Sequence, residues 1–127
     1  MKTGGIILGH GSREAAANQV VLAVAEMVRA QVQLDFLQVA FLSFASPTLP
    51  EAVDSLVHQG TEKIIVAPLF LVAGRHVREH IPALIAAEQQ RLQGKAAILY
   101  AGEIGPDPRL ASILAERIRG ADSGTID

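Results

Sequence analysis

Residues 4–16 read GGIILGHGSREAA, and this stretch decides the fold. The run GIILG, Gly5 to Gly9, is short, continuously apolar and bounded by glycines. Strands that alternate in exposure put polar residues on one face; an unbroken apolar run fits a strand buried on both faces, as in parallel sheets. Immediately after it, Gly9 and Gly11 flank His10, and Ser12 and Arg13 follow. Glycines permit a sharp strand-to-helix turn. The turn therefore presents a histidine, a serine and an arginine at the end of a buried strand.

Reading outward, Val20, Val21, Val24, Met27, Val28 and Val32 recur at three-and-four spacing within Glu14–Gln33, which is an amphipathic helix. DFLQVAFLSF, Asp35 to Phe44, is β-rich and forms a second strand. In SPTLPEAVDSLVHQG, Ser46 suits an N-cap and Pro47 the first helical position. Leu49, Val53, Leu56 and Val57 make the apolar stripe of that helix, and Gly60 ends it. KIIVAPLFLV, Lys63 to Val72, is a third buried strand. AGRHVREHIP is a loop or an irregular helix start; Pro82 fits a first turn better than an interior, so the regular helix is expected from about Ile81 to Leu92. AAILYAG is a fourth strand, and the last helix starts near Pro108. Residues 120–127 are expected to be a frayed tail. The order β-α-β-α-β-α-β-α implies an α/β fold of three layers. A four-stranded parallel sheet carries helices on both faces, with right-handed crossovers.

The bulk composition sets the outer limits. A chain of 127 residues is one domain, 1–127, large enough to fold without disulfides. It has no cysteine, so thiol nucleophiles, thiolate metal sites and disulfide frameworks are excluded. Half of it is apolar, yet no run approaches the roughly 20 residues of a membrane span. The N-terminus lacks the pattern of a signal peptide, so a cytoplasmic protein is expected. A net charge of −2, four Phe, one Tyr and no basic block make nucleic acid a poor partner.

In a parallel sheet, ligands bind beyond the carboxyl ends of the strands. Four loops leave those ends: His10–Arg13, Ser43–Ser46, Gly74–His80 and Gly102–Asp107. Three of the four histidines, His10, His76 and His80, fall in them, whereas His58 lies on the polar side of a helix. Imidazole binds metals and transfers protons near neutral pH. His76 and His80 are four apart and would share one helical face; if Pro82 delays the helix, His80 is only an N-cap. The plain alternative for His10 is a turn histidine satisfying backbone groups. Glu51 is either a solvated carboxylate or one that helps bind metal or accept a proton. Arg13, Arg75 and Arg78 are either surface charge or partners for anionic groups of a ligand. Several templates fail. GHGSRE has Glu14 where a dinucleotide loop needs its third glycine, and there is no phosphate-binding loop, nucleophile elbow or zincin motif.

GHGSR after the first strand, PTLPEAV after the second and PLFLVAGRHVREHIP after the third together resemble the class II chelatases, and among them the short-form sirohydrochlorin cobaltochelatases. The resemblance runs from Ile6 to about Ile118, and IGPDPRL, Ile104 to Leu110, adds to it. It implies insertion of a divalent metal, Co²⁺ foremost with Fe²⁺ or Ni²⁺ as alternatives, into sirohydrochlorin during cobalamin synthesis. No cofactor is implied beyond the substrate metal. His10 and His76 match the two active-site histidines, and Glu51 matches a recurring acidic position. His80 stands where the family pattern H-V-x-E-D-[IL]-P has aspartate, which adds a third imidazole to the rim. Ser12, Arg13, Ser43, Arg75 and Arg78 are assigned to the macrocycle from their position alone. Long relatives have two lobes, so a one-lobe chain implies a homodimer. Three other readings stay open: an iron chelatase for siroheme or a nickel chelatase, a drifted paralogue, and a non-catalytic tetrapyrrole or metal carrier that would not need both histidines.

Overall fold

The structure is a computed structural model; it describes residues 1–71 and 74–124, and of His76 the backbone alone. Four strands, β1 (Thr3–Gly9), β2 (Phe36–Phe41), β3 (Lys63–Pro68) and β4 (Ala97–Tyr100), alternate with four helices, α1 (Ala15–Arg29), α2 (Leu49–His58), α3 (Arg75–Leu92) and α4 (Pro108–Asp122). The sheet is wholly parallel in the order β2-β1-β3-β4. The expected α/β architecture is what the chain adopts. β1 is central: Leu8 lies between Ala40 and Pro68. That position explains the unbroken apolar run, since both faces and both edges of β1 are covered.

Side chains alternate across the strands. Ile6, Leu8, Ala40, Ile64, Val66 and Ile98 pack with Leu49, Val53 and Leu56 of α2 and Ile81 and Leu92 of α3. Ile7, Leu37, Val39 and Phe41 point the other way, against Val21, Ala25 and Val28 of α1. On the first face, Arg91 of α3 pairs with the buried Glu88 at 2.6 Å and reaches Asp54 of α2 at 2.8 Å. No helix among the described residues is long and apolar enough to cross a membrane.

Several boundaries differ from expectation. β2 stops at Phe41 rather than Phe44. The chain turns there beside the end of β1, with Leu42 N–H donating to the Gly9 carbonyl and Ser43 N–H to the His10 carbonyl, both at 3.0 Å. β3 stops at Pro68, level with the end of its partner β1; Val72, the expected end, lies outside the described residues. α1 stops at Arg29, short of Gln33. The cap of α2 is Thr48, not Ser46, and Pro47 precedes the helix. Thr48 has a glutamate three residues on and forms a reciprocal capping box with Glu51, whereas Leu49 stands three residues after Ser46. α3 begins at Arg75 rather than near Ile81 and carries Pro82 inside it. Pro82 is exposed while Ile81 is buried, so the bond that proline cannot donate is lost on the solvent side. α4 continues through Gly120 to Asp122, past the expected start of the tail. Nothing there blocks the helix until Gly124, with φ of 81°.

Candidate functional site

The strand order creates one crevice. From β1 the chain crosses to α1 on one face; from β3 it enters α3 on the other. The two loops diverge above the β1–β3 boundary, the topological switch point where open parallel sheets bind ligands. His10 stands on one side of that gap and the start of α3 on the other.

The turn holding His10 is tightly specified. Gly11 has φ of 87°, and a Cβ at this position would lie 1.7 Å from the Ser43 carbonyl oxygen. Only glycine fits both the backbone and the space. Asn18, from the first turns of α1, clamps the loop twice: its Oδ1 accepts from Ser12 N–H at 2.9 Å and its Nδ2 donates to the Ser12 carbonyl at 2.8 Å. Ser12 Oγ accepts from Glu14 N–H at 3.0 Å, which leaves its own hydroxyl proton to donate outward. The His10 side chain is exposed, yet its ring lies 4.3 Å from that of the buried Phe70, tilted by 32°. One face of the imidazole is thus fixed against the loop after β3 while its edge meets solvent.

The loop after β2 adds an aromatic surface. Phe44 has φ of 64°, an uncommon backbone for a non-glycine residue, and is 65% exposed. The Arg13 guanidinium lies 4.6 Å above its ring. Ser43 is exposed beside it. Phe70, Phe44 and Asn18 were not singled out in the sequence. Phe70 and Phe44 read as strand residues, and the one hint for Phe44 is a large aromatic set among small polar residues in SFAS.

Across the crevice, the early start of α3 puts His76 and His80 one turn apart, the relation that a delayed helix would have destroyed. His80 and Arg78 are exposed, and Arg75 makes an exposed pair with Glu79 at 3.4 Å. The side chain of His76 lies outside the described residues, so its expected place beside His10 has no geometry here. Glu51 is occupied elsewhere: its Oε1 accepts from Thr48 N–H at 2.8 Å, and this backbone bond, with the Thr48 hydroxyl, holds the carboxyl below its ordinary pKa. That is the work of a helix cap. His58 is exposed on α2, as expected. At the end of β4, burial, followed by the charge of Glu103, pushes the Tyr100 phenol above its ordinary value. Among the described residues no three His, Asp or Glu side chains converge into a metal cage. The arrangement is an open shelf with one fixed imidazole, an aromatic surface and scattered guanidinium groups.

Residues 4–121 match the CbiX family. The sirohydrochlorin cobaltochelatase of Methanopyrus kandleri is 32% identical over 91% of this chain and 94% of its own length. The sirohydrochlorin ferrochelatase of Priestia megaterium is 31% identical over 86% of this chain but only 41% of its own. Among solved structures, a putative cobalamin (vitamin B12) biosynthesis CbiX protein from Marinobacter aquaeolei VT8 superposes with a TM-score of 0.81 at 30% identity, covering 95% of this chain and 98% of that one.

Proposed function

The chain belongs to the CbiX family, and we propose on that premise that it inserts a divalent metal, Co²⁺ foremost, into sirohydrochlorin. The observation that carries the site assignment is His10: an exposed imidazole, fixed against Phe70, at the crevice between β1 and β3. Cobalt is favoured because the cobaltochelatase relative matches end to end, whereas the ferrochelatase relative is more than twice as long as the matched part.

The reaction exchanges two pyrrole N–H protons for one M²⁺, and the ion must shed water as it enters. Neutral imidazole can hold a borderline divalent ion and can also take up a proton. We assign these tasks to His10 and His76 from opposite sides of the crevice, with His80 one turn further along α3 as an additional imidazole. The exposed Phe44 ring offers a flat apolar surface for the macrocycle. Arg13, Arg75 and Arg78 meet its carboxylates, and Ser12 and Ser43 donate neutral hydrogen bonds. Glu51 caps α2 through Oε1 and meets the metal through its other carboxylate oxygen. The working form is a homodimer in the cytoplasm, so that two rims enclose one macrocycle.

Anaerobic absorption spectroscopy tests this. Sirohydrochlorin mixed with the protein and Co²⁺, Fe²⁺ or Ni²⁺ in turn should lose its metal-free band fastest with Co²⁺, relative to protein-free controls. His10→Ala should reduce insertion at least a hundredfold while the macrocycle still binds. Insertion at the wild-type rate by His10→Ala would remove the site assignment; a band shift without acceleration by any metal would make the protein a carrier.

A further inference from the structure

α3 carries two of the four histidines, and the place where the helix begins decides what they can do together. With α3 starting at Arg75, positions 76 and 80 both lie in its first two turns, one turn apart. Side chains four apart on a helix are neighbours, their Cβ atoms about 5–6 Å from each other. At that spacing two imidazoles can close on one ion, each nitrogen about 2 Å from it. His80 is exposed and makes no hydrogen bond or ion pair among the described residues.

The flank that the two positions share is fixed by the other end of the helix. Arg91 reaches Asp54 of α2 at 2.8 Å and the Pro50 carbonyl at 3.5 Å, so the row of α3 through Arg91 faces α2. His80 lies eleven residues before Arg91, about three turns, and stands within about 20° of the same row. Position 76 lies about 40° further round, away from the inward stripe of Val77, Ile81 and Glu88. α2 in turn packs over β1 and β2, where Leu56 lies over Gly4 and Ser55 accepts from Gln38 at 2.9 Å. The histidine flank therefore looks toward the half of the rim that holds His10. Arg75 and Arg78 fall about 140–160° from that row, and Arg75 is paired with Glu79. Their guanidinium groups do not share the histidine face, so a cation there meets no like charge from these two turns.

We propose that His76 and His80 form a two-imidazole clamp that takes a divalent ion, Co²⁺ or Ni²⁺, from solution before the macrocycle is metallated. Imidazole suits such borderline ions. Closed four-ligand sites keep their metal as structure, whereas sites with open positions exchange ligands. Two imidazoles leave the rest of the coordination sphere to water, so the ion is held yet stays open to the incoming macrocycle. The delivery rests on the chelatase reading proposed above; the capture does not.

Isothermal titration of the macrocycle-free protein with Co²⁺ and with Ni²⁺ tests the capture, and anaerobic insertion at low and at saturating Co²⁺ tests the delivery. His80→Ala should weaken binding about tenfold, because a chelate loses its second arm. The losses of His76→Ala and His80→Ala should not add in the double variant, since either one opens the clamp. His10→Ala and His58→Ala should each leave the affinity within about twofold of wild type. In insertion, His80→Ala should raise KM for Co²⁺ about tenfold with kcat nearly unchanged, a split that a merely damaged fold does not give. Unchanged affinity in His80→Ala overturns the clamp, and so does an equal loss in His10→Ala. Co²⁺ bound through His76 and His80 without any insertion overturns the chelatase reading and leaves the clamp as a metal site. Insertion by a protein whose His80→Ala variant binds Co²⁺ like wild type removes the clamp and leaves that reading intact.

Discussion

Under α2 and α3 the sheet buries Ile6, Leu8, Ile64, Val66 and Ile98, whereas on the α1 face Ile65 and Ala67 are only half-buried and Leu99 lies open. Neighbouring residues of the same strands therefore live in different solvents. The closed face is also tied by polar contacts, with Arg91 joining Asp54 and the buried Glu88. The open face has one helix, displaced toward β1 and β2. Along β3 the open face carries Lys63, Ile65 and Ala67 and the closed face Ile64, Val66 and Pro68, so the strand itself already leans toward the closed side, and what covers each face adds to that. A run such as KIIVAP marks a strand inside a sheet; it does not state how completely each face is covered.

The widest separation between the faces should come from core truncation. Ile64→Ala removes buried methyl groups from the closed face and should lower stability by about 3 kcal/mol in urea unfolding. Leu99→Ala, measured in dilute solution, should cost under about 0.5 kcal/mol. A smaller effect belongs to the polar tie. Arg91→Met should cost about 1–2 kcal/mol, because it strands the Glu88 carboxylate while Arg91 itself is partly solvated. Smaller again is the cap of α2, where Thr48→Ala should cost about 1 kcal/mol. Glu51 adds a pH signature to that cap. Its carboxyl is held below the ordinary value by Thr48, so its contribution is complete above the ordinary glutamate pKa and is lost as pH falls below it. Glu51→Gln should flatten the acid limb of the stability profile relative to wild type, and an unchanged acid limb would count against the cap.

Most of the architecture was legible because periodicity carries it: the closed-face stripe of α2, Leu49, Val53 and Leu56, is the one its spacing announces. The misreadings share a cause. Pro82 signals a break that the exposed side of α3 absorbs, and Ser46 has the residue type of a cap but lacks the glutamate three residues on that Thr48 has in Glu51. Phe44 was read as strand because a positive φ leaves no mark on an aromatic residue type. The rim was legible as a place, since four loops leave one end of the sheet. Its local geometry was not: the Gly11 contact with the Ser43 carbonyl and the His10–Phe70 stacking join residues tens of positions apart.

The place of β1 in the sheet bears on how the protein is made. β1 is synthesised before β2, β3 and β4 and is the strand most enclosed at the end, flanked by β2 and β3. Its right-hand neighbour starts at Lys63, so Ile6, Ile7 and Leu8 wait for some half of the chain to be synthesised before their ladder is complete. Non-local parallel pairing closes slowly and leaves apolar segments exposed meanwhile. The most apolar strand is thus also the longest without its partners, and GGIILG stays uncovered until β3 has been made.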